Sequence, residues 1–144
     1  ACVKMGFAKD LKDATDNSPA VPKVGFFSVP KDYTDISGKE VKASEMDICA
    51  RVISVFKCHK ASPLTSASAI AVARAVPGTL LYETLGAPAD GSGAVRIGHP
   101  SGVMTMFPYM EDASVPDINS IKLSGVAVQR TARRIMDGYI YIRN

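Results

Sequence analysis

Three cysteines, Cys2, Cys49 and Cys58, are too few and too scattered for a disulfide framework. They form no CxxC pair, and an odd number cannot all be paired within one chain. A reducing, intracellular setting is the simple reading, and it predicts a cytoplasmic location. No apolar run reaches the roughly 18 residues that a membrane-spanning helix needs. Nor does an apolar run follow a basic start in the manner of a signal peptide. Charge never gathers into blocks of about five or more like residues, and the net charge is only +3 at pH 7. Neither a nucleic-acid partner nor a polybasic membrane contact is therefore expected. The small positive excess suits a small anionic ligand and is equally ordinary for a globular domain. GxSxG, P-loop and dinucleotide-binding fingerprints are all missing. The two histidines, His59 and His99, stand far apart with no cysteine at ligand spacing, so no metal site is expected.

What remains is an ordinary globular composition. The 144 residues are 47% hydrophobic and 22% charged, enough for one domain with its own core. Cys2 to Leu11 carries apolar residues at helical spacing, and Asn17-Ser18-Pro19 breaks it. Pro19 and Pro22 mark a connector, so residues 1–22 read as a helix plus linker ahead of a main unit over 23–144. The chain opens at Ala1, inside that helical pattern, and so looks like the middle of a longer polypeptide. Val24, Phe26, Phe27 and Val29 predict a strand. Ser44 followed by Asp47 resembles a capping box. Met46, Cys49, Val52, Ile53 and Phe56 then fall on one helical face, predicting a half-buried helix with Cys49 in the core.

Ser62 to Gly78 is the most informative stretch. Ser62 is placed to cap, Pro63 to occupy the first helical position, and Pro77-Gly78 to stop the helix. Between them nearly every residue is small or apolar, with Arg74 the single charge. A helix with no polar face is usually buried on all sides. A buried helix inside a wrapping sheet is the expected architecture. Strands are predicted at Thr79–Thr84, Ala94–Ile97, Val103–Phe107 and Ile121–Gln129, with a polar turn over Ala87–Gly93. A hairpin is predicted over Ile135–Ile142 around Asp137-Gly138. The class is α+β.

Two segments carry binding chemistry. Gly98-His99-Pro100-Ser101-Gly102 joins two predicted strands. Its glycines permit backbone shapes in which successive N–H groups converge on an anion, and Ser101 adds a hydroxyl. It is either a carboxylate cradle or a tight connection in which His99 packs. Leu64-Thr65-Ser66-Ala67 opens the central helix, where free N–H groups and the dipole favour an anion. Those residues either receive a carboxylate or merely cap. His59-Lys60 and Arg130-Thr131-Ala132-Arg133-Arg134 are further polar groups that fit a carboxylate or a solvated loop. Cys58 has no assigned role.

The order of these segments, with the strings GHPSGVM at 98–104 and RTARRIMDG at 130–138, resembles the C-terminal half of PrpF-type proteins. That resemblance covers the chain from about Met5 onward. It implies the diaminopimelate epimerase-like fold: two lobes, each a mixed sheet or barrel wrapped around a central buried helix, with the site between them. It further implies isomerisation of aconitate-like or methylaconitate-like unsaturated tricarboxylic acids without metal or organic cofactor. Substrate contacts carry over to Thr65, Ser66 and Ala67 and to Gly98, His99, Pro100, Ser101, Gly102 and Met104. The cysteine that epimerases of this fold carry at the helix start is missing here, which puts a two-thiol mechanism in doubt. The lysine base and a functional cysteine belong to the N-terminal lobe, to which nothing in this chain corresponds. The expected partners are a small tricarboxylate and that missing lobe, on the same polypeptide or a second chain, with homo-oligomers also compatible. The alternative is a non-catalytic carboxylate-binding or assembly protein derived from the same lobe.

Overall fold

The computed structural model describes residues 1–86, 93–111, 122–130 and 132–142. Eight strands and three α-helices are assigned among them. The strands are β1 (Val24–Ser28), β2 (Tyr33–Thr34), β3 (Glu40–Val41), β4 (Ile48–Ser54), β5 (Lys57–Cys58), β6 (Val95–His99), β7 (Gly102–Met110) and β8 (Leu123–Val128). The helices are α1 (Leu11–Asn17), α2 (Leu64–Ala75) and α3 (Leu80–Leu85). Six strands form one sheet in the order β1-β4-β6-β7-β8, with β5 beside β4, and β2-β3 is a separate small hairpin. The β4–β6 pair is parallel and the other pairs are antiparallel. The sheet is thus mixed and the class α+β.

Alternation along β4 and β6 sends Ile48, Ala50, Val95 and Ile97 to one face, where they meet Ala67 and Ala71 of α2, Leu81 of α3 and Met106 of β7. Each large side chain enclosed there, such as Ile48, Ile97 and Met106, contributes about 1.5–3 kcal/mol through burial. Alanines at the contact let α2 lie close to the sheet. Burial of α2 is nevertheless one-sided. Ala67, Ala71 and Arg74 face inward, while Leu64, Thr65 and Ala69 stay exposed. The lack of a polar face reflects small residues on the outward stripe rather than enclosure all round.

Several local expectations are corrected. The stretch predicted as a helix over 46–56 is strand β4. Its burial alternates at Ile48, Ala50 and Val52, and β-branched residues favour the pleated form. The capping pattern near Ser44 closes only a single 3-10 turn at Ala43–Glu45, where Glu45 Oε1 accepts from Lys42 N at 2.8 Å. Cys49 therefore sits half-buried on the sheet face opposite α2, not in the core. Thr79–Thr84 is helix α3 rather than strand, because the Thr79 hydroxyl accepts from Tyr82 N at 3.2 Å and nucleates the turn. Near the N-terminus, Gly6 at φ 76° ends a 3-10 turn over Val3–Met5. The helix begins instead at Leu11, capped by Asp10. No hairpin forms over 135–142. That segment has no regular structure, and Ile135, Met136, Tyr139, Ile140, Tyr141 and Ile142 are 83–96% exposed. Two strands of that length with nothing to pack against are not stable. The turn expected over Ala87–Gly93 falls largely outside the described residues, as does Thr131.

Candidate functional site

Chain direction brings the two predicted segments to one end of the sheet. β6 ends at His99, Pro100 and Ser101 turn the chain, and β7 leaves from Gly102, whose φ of 121° suits glycine alone. The Ser101 hydroxyl donates to Lys60 O in the connector that leads into α2. From there α2 runs back along the sheet. Its far end brings Arg74 close enough to help depress the Asp47 carboxyl at the start of β4. Thr65 and Ser66 thus open the helix near the Gly98–Gly102 turn, and Ala67 lies beneath them in the core. Met104, on β7, is partly buried and packs against that core.

The amino end of α2 is open. The helix begins at Leu64, and Pro63, its cap residue, makes no side-chain cap hydrogen bond. Ser62, expected to cap, does not. The first intrahelical donor is Ala67 N, to Pro63 O at 2.9 Å, which leaves the N–H groups of Leu64, Thr65 and Ser66 without a helical acceptor. Thr65 is exposed, Ser66 half-buried. Ser66 also lines a cavity of about 200 Å³ with Lys23, Gly25, Val52, Ala69 and Ile70. A free helix start is a place for an anion.

The turn is fixed from its carbonyl side. Tyr33 Oη lies 2.7 Å from both His99 O and Gly102 O, sharing one donated proton between them. Burial raises the Tyr33 hydroxyl above its ordinary pKa, against the opposing Arg51 charge, so it remains a donor. Ile36 N donates to Pro100 O at 2.8 Å. Arg51 Nη1 donates to Gly98 O at 3.2 Å and to Ala50 O at 2.8 Å, and its guanidinium stands 4.8 Å over the Tyr33 ring. The same nitrogen is 3.2 Å from Cys49 Sγ. His99 is only 6% exposed. Its Nδ1 accepts from Ser101 N at 3.2 Å, which places the ring proton on Nε2. Burial, then the Arg51 charge, lowers the His99 pKa, so the ring is neutral near pH 7.

Tyr33 and Arg51 escaped the sequence reading. Tyr33 acts across more than 60 residues of sequence and leaves no local pattern. Arg51 is legible only once 48–54 is read as a strand, since alternation then puts it opposite the core. Among the described residues, His, Cys, Asp and Glu form no group of three suited to a metal ion. Cys58 is exposed, and its Sγ donates to the neighbouring His59 O at 3.6 Å. The described part of the Arg130–Arg134 string is exposed. No helix among the described residues is long and apolar enough to cross a membrane.

A family model described as "PrpF protein" matches residues 1–143. The chain belongs to the PrpF family. Among curated PrpF relatives it is 35% identical to the 3-methylitaconate isomerase of Eubacterium barkeri, over 98% of the chain and 35% of that protein. It is 34% identical to the 2-methyl-aconitate isomerase of Shewanella oneidensis, over 97% of the chain and 34% of that protein. The crystal structure of a methylitaconate-delta-isomerase superposes with a TM-score of 0.73 at 34% identity, covering 96% of the chain and 34% of that structure. The diaminopimelate epimerase-like lobe fits both the mixed sheet and this PrpF likeness. The chain spans about a third of the length of these relatives.

Proposed function

We propose that this chain is the C-terminal lobe of a cofactor-independent isomerase of aconitate-like unsaturated acids, and that its open end holds a substrate carboxylate. The observation that carries the reading is the uncapped start of α2, tied through Ser101 and Lys60 to the Gly98–Gly102 turn. The relatives' printed activities agree in class: methylitaconate and methylaconitate isomerases act on small unsaturated acids.

In the proposed reaction a base on the N-terminal lobe removes a proton next to the carbon–carbon double bond. The electron pair spreads through the double bond into a carboxylate. Reprotonation, at the far carbon or after rotation, gives the isomer. Only a proton moves, so no electron acceptor is required. The role of this lobe is to hold the carboxylate on which charge accumulates, using dipoles already in place. Thr65, Ser66 and Ala67 supply the helix start. Gly98, His99, Pro100, Ser101 and Gly102 supply the turn, with Met104 shaping its base. The neutral His99 offers an Nε2–H donor rather than a cation. Ser101 acts chiefly as the tether, since its hydroxyl proton is committed to Lys60 O.

No base is assigned within this chain. Six large apolar side chains between Ile135 and Ile142 lie open, and β1 is exposed along its whole length. Such surfaces suit a lobe that completes itself against a second one. Free Cys2, Cys49 and Cys58 suit a reducing cytoplasm. The test is proton NMR of cis-aconitate and 2-methylaconitate with the two-lobe protein and with this chain alone. Turnover is expected from the first and not the second. No turnover from either defeats the isomerase reading.

A further inference from the structure

No residue before Val41 is buried. The first 40 residues nevertheless include a capped helix, α1, and a paired strand, β1, neither of which encloses a side chain. β1 ends the sheet, so its outer edge has no strand partner among the described residues. Natural edge strands carry lysine, proline or a bulge that deters further pairing. Val24-Gly25-Phe26-Phe27-Ser28 has none of these. Its register sets Val24 opposite Ile53, two residues before the β4–β5 turn at Val55-Phe56. There Phe56 borders an apolar groove of about 830 Å³, whose wall includes Val3, Leu11, Ala14 and Pro19. The turn itself is unusual. Val55 and Phe56 both have positive φ, 49° and 61°. Two-residue turns of this kind favour Asn-Gly, because branched and bulky residues are strained there. Val55 N donates to Pro19 O at 3.3 Å, which ties the turn to the groove wall. Phe56 is thereby presented to the groove and stays 70% exposed. A large apolar side chain left in water on a strained backbone is costly to this lobe on two counts.

We propose that this groove and the adjoining β1 edge form one docking surface for the N-terminal part of the longer polypeptide, with Phe56 as its anchor. The inference rests on reading the chain as one lobe. The chain spans about a third of the length of the relatives it matches, so most of their length has no counterpart here that could cover the surface. Groove and edge are continuous through the Val24–Ile53 pair, which suits a partner that both packs and adds a strand. A segment of the same polypeptide arrives at high effective concentration, so the surface need never stand open in the complete protein. Lys4 and Asp10 line the groove with opposite charges, leaving no net charge to select a charged partner. The matching surface is therefore apolar: a strand beside β1, with side chains that enclose the Phe56 ring. Aromatic anchors seated in this way dominate the energy of such contacts.

The test is hydroxyl-radical footprinting of the complete two-lobe protein, read by mass spectrometry. Phe56 and Phe26 are expected to oxidise about five- to tenfold more slowly than in the free peptides that carry them, as befits a desolvated anchor and its neighbour. Phe56→Asn adds a reading that exposure alone does not give. Asparagine tolerates a positive φ, so for a Phe56 left in water the change is neutral or stabilising. For an anchor it lowers the melting temperature and frees Phe26 to oxidise, and Phe56→Leu keeps part of both. Phe56 that oxidises as fast in the native protein as in its peptide overturns the proposal. So does a melting temperature that holds or rises in Phe56→Asn. Protection that appears only as protein concentration increases also overturns it, because it assigns the surface to a second copy. None of these readings involves turnover. Protein that is protected at Phe56 and isomerises no unsaturated acid defeats the isomerase reading alone.

Discussion

Gly98→Ala tests whether the turn is clamped as described. Gly98 lies in β6 with ordinary strand dihedrals, so alanine meets no backbone penalty there. On entropy alone the substitution would stabilise the protein by about 0.4–1 kcal/mol, through the unfolded chain. Space decides otherwise. A Cβ at Gly98 would press into Met46 Sδ, and would sit 3.3 Å from Met46 Cε and 3.4 Å from Tyr33 Cε1. Met46 is 2% exposed, and its sulfur is mid-chain rather than a free tip. The added methyl must displace Met46 or lift β6 away from Tyr33, which breaks the bonds that hold the turn. Overpacking of this kind costs about 1–3 kcal/mol. The net expectation is a loss of roughly 1–2 kcal/mol, after subtracting the entropy gain. Hydrogen exchange at the amides of β4 and β6 reads this local stability directly. Met46→Ala should cost less in the Gly98→Ala background than alone, with a coupling of about 1 kcal/mol or more. Exchange protection that is unchanged or increased in Gly98→Ala, with no coupling to Met46, refutes the clamp.

Other expectations follow from the same contacts. Tyr33→Phe removes the hydroxyl shared by His99 O and Gly102 O, and should cost about 1 kcal/mol and raise KM more than it lowers kcat, as steady-state kinetics would show. His99 should titrate below its ordinary value by NMR, in the Nε2–H tautomer, because burial and then Arg51 disfavour the cation. The stability gained by keeping it neutral is complete above about pH 6.5 and is lost as pH falls toward the lower folded value. Arg51→Gln should move that titration upward. Burial pushes the Asp47 carboxyl up, but Arg96 Nη2 at 2.7 Å and Arg96 N at 2.8 Å outweigh it and hold its pKa below the usual range. This contribution is present above about pH 4 and is lost in acid, so Asp47→Asn should flatten the acid limb of a stability profile.

The sequence was most readable where one local rule acted alone. Alternation in Val95–Ile97 and Val103–Phe107, the Pro-to-Pro limits of α2 and the GHPSG connection were all visible. Each is set within a few residues. The reading failed at Met46–Phe56 because the stretch satisfies two periods at once. Met46, Cys49, Val52 and Phe56 fit a helical face, while Ile48, Ala50 and Val52 fit a strand face. Pairing with β1 and β6 decides between them, and those partners are distant in sequence. At Thr79–Thr84 the apolar pair Leu80-Leu81 suggested a strand, whereas the Thr79 cap specified a turn of helix. The hairpin over Ile135–Ile142 had correct turn chemistry and no surface to form against.

The site shows the same division more sharply. Its acceptor-facing parts, the free amides of α2 and the glycine turn, can be read from local sequence because backbone shape follows from proline and glycine positions. What gives them a fixed direction is not local. Tyr33, Ile36 and Arg51 together take the carbonyl groups of Gly98, His99, Pro100 and Gly102. Across a planar peptide the carbonyl and the next N–H point in opposite directions. Holding the Pro100 carbonyl on the Ile36 side therefore turns the Ser101 N–H away from it, toward the His99 ring. Through that one bond the clamp also selects the histidine tautomer, so backbone position and ring proton are set together. A change at Tyr33, which does not belong to the motif, should then alter His99 chemistry as surely as a change within it. His99 carbon and nitrogen shifts that ignore Tyr33→Phe would show the two to be independent.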